Sequence, residues 1–152
     1  MSLIKPKAFF FDFYGVIIDS NENLRPGITD LIEKLDDRLI PLAVVSSSSQ
    51  NHIESILQKH ELDRYFQFIV STDHVRWTKP HPEPYEIAYV NMCDEIPDLK
   101  KEECWALEDS PSGIESVKGA GLNALGITFT SPADTLSQAD QIVAGFTDIE
   151  VA

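Results

Sequence analysis

The chain has 152 residues, enough for one compact domain with little left for a second of similar size. Hydrophobic residues make up 43% of it and charged residues 24%, which suits a packed core and argues against a disordered or membrane-spanning chain. Twelve Lys and Arg face 25 Asp and Glu, and a net charge of −13 disfavours nucleic acid and membranes as partners, so an anionic ligand must be captured by a few local groups. The first residues, Met1 to Lys7, do not have the pattern of a secretory leader, and no apolar run reaches membrane-spanning length. Cys93 and Cys104 show no Cys-x-x-Cys spacing, which predicts a reduced, cytoplasmic setting.

Ala8-Phe9-Phe10-Phe11-Asp12 is a continuous apolar run ending on a carboxylate, the pattern of a central strand covered on both faces. After Pro26-Gly27, apolar residues at Ile28, Leu31, Ile32 and Leu35 have helical spacing, and Asp36-Asp37-Arg38 closes that helix. Pro41 to Val45 reads as a second buried strand opening into Ser46-Ser47-Ser48-Ser49. Ile53, Ile56 and Leu57 mark the helix that follows.

Phe66 to Val70 is the third strand. A loop through Trp77, Lys79 and Pro80 leads to a helix starting near Pro82-Glu83, where proline suits a first helical turn. Cys104 to Leu107 is a fourth strand running into Glu108-Asp109. Ser110-Pro111 caps a helix that lasts to about Ala120, and Gly121 stops it. Ala124 to Ile127 is the fifth strand and Ile142-Val143 a short sixth. Strands alternating with helices predict an α/β fold, a three-layer α/β/α Rossmann-like core whose mostly parallel sheet binds ligands at the carboxyl ends of its strands.

Polar residues collect at those ends: Asp12, Ser46, Lys79, and Glu108 with Asp109. Packed carboxylates repel one another, and a divalent cation, most simply Mg2+, relieves that repulsion. A serine hydroxyl at a helix-opening turn, with a lysine nearby, suits a phosphate. Each signal has a plainer reading when taken alone. Asp12 could serve only a turn, Ser47 and Gln50 have capping-box spacing, Lys79 could be a solvated charge, and Glu108-Asp109 could complement a helix dipole. The shared strand-end placement favours a site. His52, His60, His74 and His81 share no metal-ligand spacing, and the late glycines around Gly119, Gly121 and Gly126 end a helix instead of opening one.

The segment Phe10-Phe11-Asp12-Phe13-Tyr14-Gly15-Val16-Ile17-Ile18-Asp19-Ser20 resembles the first motif of the haloacid dehalogenase superfamily. Val44-Val45-Ser46-Ser47 is similar to its second motif, Lys79-Pro80-His81-Pro82-Glu83-Pro84-Tyr85 to its third, and Leu107-Glu108-Asp109-Ser110-Pro111-Ser112-Gly113-Ile114 to its fourth. The third and fourth most resemble the sugar-phosphatase and β-phosphoglucomutase-like branch. That resemblance implies a magnesium-dependent phosphohydrolase working through an aspartyl-phosphate. Asp12 would be nucleophile and metal ligand, and Lys79 a catalytic and phosphate-binding residue. Ser46 and Ser47 would bind phosphate, and the Tyr14 main-chain carbonyl, Glu108 and Asp109 would complete the metal site.

Two departures qualify this. Family phosphatases carry an acid–base aspartate where this chain has Tyr14; a phenol with a pKa of about 10 is a poor base at neutral pH. Losing general acid–base help costs ~10²–10⁴-fold, so turnover is expected to be slow or absent. Relatives also insert a helical cap where only Asn21-Glu22-Asn23 separates Ser20 from Leu24, so residues 1–152 read as a single capless core domain. An open cleft fits either a phosphorylated small molecule or a bulky phosphorylated substrate, and is compatible with an oligomer that covers it. A pseudoenzyme that binds phosphate or metal is the alternative, and a haloacid dehalogenase the weaker third reading.

Overall fold

The structure, a computed structural model, describes residues 2–152. Strand β1 (Ser2–Ile4) precedes β2 (Ala8–Phe11), whose four side chains are all buried. Helix α1 (Ile28–Asp37) follows, burying Ile28, Leu31, Ile32 and Leu35 on one stripe. Next come β3 (Leu42–Val45), α2 (Gln50–Lys59), β4 (Phe66–Val70), α3 (Glu83–Glu95), β5 (Cys104–Glu108) and α4 (Pro111–Gly119). The chain closes with β6 (Asn123–Ile127), β7 (Gln141–Val143) and β8 (Ile149–Val151).

Six strands form one parallel sheet in the order β4-β3-β2-β5-β6-β7, with β2 at its centre as its unbroken apolar run predicts. Alternate strand residues feed two cores. Phe9, Phe11, Leu42 and Val44 pack with α1 and α2, whereas Ala8, Phe10, Ala43 and Val45 pack with Tyr85, Ala88 and Met92 of α3 and with Ile114 and Val117 of α4. Each fully buried aliphatic or aromatic side chain contributes about 1.5–3 kcal/mol of transfer free energy, so this pattern, repeated along β2 and β3, holds the three layers in register.

Two local findings differ from the sequence reading. The cap of α2 is Ser49, whose side chain accepts from the His52 amide, and not Ser47. A second, two-stranded parallel sheet pairs β1 with β8. Lys34 Nζ reaches the Ile149 carbonyl at 3.2 Å, and Arg38 donates to that of Val151, so the last turn of α1 holds β8 in place.

Between β2 and α1 the chain forms a tight hairpin: Arg25 N–H donates to Ile17 O at 2.9 Å, and Ile18 bridges to Leu24 in antiparallel fashion. Asp19 Oδ1 closes its tip by accepting from the amides of Asn21 and Asn23.

Candidate active site

The order of strands reverses at the centre of the sheet. From β2 the chain moves first to β3 on one side and later to β5 on the other, which opens a crevice at the carboxyl ends. Asp12 directly follows β2, Ser46 follows β3, Glu108 ends β5 and Asp109 comes next. Lys79 arrives on the loop between β4 and α3, through a cis peptide to Pro80. These elements bring Asp12, Glu108 and Asp109 together with carboxylate oxygens within 4.8 Å of one another.

Lys79 sits among them. Its Nζ donates to Asp12 Oδ1 at 2.9 Å, to Glu108 Oε2 at 2.6 Å and to the Val45 carbonyl at 2.9 Å, which uses all three protons of the ammonium. Its side chain is only 7% exposed. Burial disfavours the ammonium, but Asp12 and Glu108 outweigh burial and raise its pKa above that of an ordinary lysine. Burial also pushes the Glu108 carboxyl up, with repulsion from Asp12 adding to it and Lys79 offsetting part. Tyr85, fully buried on α3, donates its hydroxyl to Glu108 Oε2 as well. The tyrosine belongs to the quoted third motif, yet nothing local marks it as a partner of a glutamate 23 residues away.

Asp109 is pushed up to about 6, chiefly by burial and then by Asp12. Thr130 donates to its Oδ2 at 2.5 Å, a contact without sequence signal because Thr130 lies beyond β6 in an irregular stretch. A Cβ at Gly15, where φ is +93°, would fall 1.9 Å from Asp109 Oδ2. The backbone therefore approaches this carboxylate as only glycine allows. Glu108 Oε1 is buried without a hydrogen-bond partner among the described residues. Three carboxylates against one ammonium leave the crevice over-supplied with negative charge. An oxygen-only donor set containing an unsatisfied buried oxygen fits a hard divalent cation.

Ser46 is buried, and its Oγ accepts from the Ser48 amide at 3.1 Å, while Ser47 is exposed on the turn. The Tyr14 hydroxyl engages residues outside the cluster of Asp12, Glu108 and Asp109. It donates to Glu22 Oε2 at 2.7 Å and meets His52 Nε2 at 2.5 Å, with the tyrosine and histidine rings stacked. Burial, followed by Glu22, pushes the phenol up to about 12. His52 carried no ligand spacing in the sequence, and its place here depends on the hairpin and α2 meeting at the rim.

Fold and site together define a doubly wound α/β protein with a carboxylate–lysine centre at its topological switch point. Residues 7–127 match the haloacid dehalogenase-like hydrolase family, and the chain belongs to it. It is 29% identical to validoxylamine A 7'-phosphate phosphatase from Streptomyces hygroscopicus subsp. limoneus, over 81% of this chain and 55% of that protein. It is 25% identical to the phosphoglycolate phosphatase of Escherichia coli strain K12, over 94% of this chain and 56% of that protein. With protein CbbY from Cereibacter sphaeroides the identity is 30%, over 90% and 59%. The chain thus spans little more than half the length of these curated relatives.

Among solved structures, CbbY from Rhodobacter sphaeroides in complex with phosphate superposes with a TM-score of 0.78 at 21% identity, covering 94% of this chain and 96% of that one. A β-phosphoglucomutase-type structure from Thermotoga maritima gives 0.75 at 21%, covering 90% and 93%. These two show the shared fold. Among the described residues no helix is long and apolar enough to cross a membrane.

Proposed function

We propose that the chain is a magnesium-dependent phosphomonoesterase that works through an aspartyl-phosphate on Asp12, slowed by tyrosine at position 14. The observation that carries this reading is the Lys79 ammonium shared between Asp12 and Glu108 at the switch point, with Asp109 beside them. Phosphatases and a sugar-bisphosphate complex among the relatives support it: validoxylamine A 7'-phosphate and phosphoglycolate are named as substrates of two of them, and a CbbY structure holds xylulose-(1,5)bisphosphate.

Asp12 Oδ1 is held by the Phe13 amide at 2.8 Å and by Lys79, which leaves Oδ2 to meet phosphorus. In the first step an Asp12 oxygen forms the bond to phosphorus, the phosphorus–alcohol bond breaks, and the alkoxide takes a proton from solvent. Water then attacks phosphorus, the aspartyl–phosphate bond breaks, and inorganic phosphate leaves. Lys79 offsets charge on the transferring group, and Ser46 and Ser47 at the β3–α2 turn meet its oxygens. Asp12, the Tyr14 carbonyl, Glu108 and Asp109 would hold Mg2+, which when bound supplies charge neutralisation for phosphoryl transfer. The 17–25 hairpin stands where a cap would be inserted, so residues 1–152 act as one open core domain.

Hydrolysis of p-nitrophenyl phosphate tests the reading, because its leaving group needs no proton. Magnesium-dependent release that Asp12→Asn abolishes is the expected result; equal inertness of both proteins rejects it. One observation favours a second reading, a phosphate- or metal-binding protein without turnover: the Tyr14 proton is engaged by Glu22 and is not available to a leaving group. The metal-type carboxylate cluster speaks against a dehalogenase.

A further inference from the structure

Tyr14, Glu22 and His52 come from three stretches of chain: the turn after β2, the hairpin tip and the first turn of α2. Their side chains interlock. Tyr14 O–H donates to Glu22 Oε2 at 2.7 Å, His52 Nε2 lies 2.5 Å from the tyrosine oxygen and 3.2 Å from the same carboxylate oxygen, and the rings stack at 15°. One phenol O–H and one imidazole N–H satisfy all these contacts, with Glu22 the acceptor and His52 its titratable partner at 3.2 Å. Among the described residues no Lys or Arg is paired with it. Arg25, on the same hairpin, is committed elsewhere, with Nε on the Gly15 carbonyl and its guanidinium over the Phe129 ring.

Exposure rises from floor to rim. Side chains of Lys79 and Asp12 are 7% and 13% exposed, those of His52 and Glu22 41% and 45%. Tyr14 lies two residues beyond Asp12 and His52 opens the helix that follows Ser46, so the cluster stands on the solvent side of the strand ends where the alcohol part of a bound phosphomonoester would lie. Tyr14 carries the Glu22 contact a full aromatic side chain beyond a backbone position two residues from Asp12.

We propose that Glu22, fixed by Tyr14 and His52, sets substrate preference: a phosphomonoester whose alcohol part bears hydroxyls or an amine and carries no second anionic group. The inference rests on the phosphohydrolase reading. A fixed carboxylate accepts hydrogen bonds from O–H and N–H donors and repels a carboxylate or second phosphate. The stacked rings offer an apolar flank to the C–H face of a polyol or cyclitol. The low charge-screening of a rim group at low salt makes the repulsion measurable.

The test compares kcat/KM for sorbitol 6-phosphate, phosphoethanolamine and phosphoglycolate in wild type and Glu22→Gln at low ionic strength, with p-nitrophenyl phosphate as reference. Wild type is expected to prefer the first two over phosphoglycolate by about tenfold or more. Glu22→Gln should shrink that ratio about tenfold, and added salt should shrink it in wild type only. A wild-type preference for phosphoglycolate, or a ratio that Glu22→Gln leaves unmoved, overturns the proposal while p-nitrophenyl phosphate turnover keeps the phosphohydrolase reading. If no substrate shows Asp12-dependent turnover, both fall.

Discussion

At position 14 the phenol is held up to about 12 by burial and by Glu22, so at neutral pH it neither accepts a proton nor has a free one to give. Tyr14→Asp places a short carboxyl next to the Asp12 turn and removes the hydroxyl that Glu22 and His52 share. On unactivated phosphomonoesters the substitution is expected to raise kcat by up to ~10²–10⁴-fold, while p-nitrophenyl phosphate turnover gains far less. Steady-state kinetics on both substrate types would check this, and equal gains on both would locate the limit outside proton transfer. Asp12, Glu108 and Asp109 were legible as site candidates because a charged residue closing an apolar run is a local signal, whereas Lys79, on the loop before α3, stood out through the motif it opens. Tyr85, Thr130 and His52 were not, since each reaches the site across a gap in sequence that no periodicity spans.

Among the elements, the strands carry the clearest sequence imprint. A strand covered on both faces must be apolar at every position, and β2 and β3 are. The same double cover isolates Cys104 at the start of β5, where burial, with smaller contributions from Cys93, Glu103 and Glu102, pushes its thiol from 9.0 up to about 12. Its folded pKa lies above its unfolded one, so between those values the unfolded chain has lost a proton that the native state keeps, and stability falls as pH rises through that window. Below the unfolded value the effect vanishes. Denaturant melts from pH 8 to 10.5 should show this fall, and Cys104→Ala should flatten part of it; identical slopes would refute the assignment. The sequence reading missed β1 and β8 for a different reason: three-residue strands are too short to display a period, and their pairing joins opposite ends of the chain. The α2 cap also stays open among Ser46 to Ser49 in the sequence, because four consecutive serines offer equivalent donors and acceptors until the backbone direction selects Ser49.

The whole molecule carries a net charge of −13, and among the described residues the crevice is the place where three carboxylates converge closely enough for a shared cation. A ligand that binds only the folded state stabilises it by RT ln(1 + [L]/Kd), about 2.7 kcal/mol at a hundredfold excess over Kd. Thermal unfolding in MgCl2, against NaCl of matched ionic strength, is expected to show such an upward shift, and Asp109→Asn should abolish most of it. An equal shift in NaCl would reduce the effect to general screening of the acidic surface.

Local patterning alone determined the order of the strands in the main sheet and of the helices between them, the burial of β2 at the centre, and the strand-end positions of Asp12, Ser46, Glu108 and Asp109. Such features depend on side chains within a few positions of one another, where apolar period and capping chemistry act. Tertiary structure alone decided that Lys79 bridges Asp12 and Glu108, that Tyr85 completes the glutamate's partners while its Oε1 stays unsatisfied, and that Glu22 and His52 clasp Tyr14 at the rim. Those pairings follow from how separate strands and loops converge, and the energy that selects them is electrostatic and geometric, acting between residues that the chain itself keeps far apart.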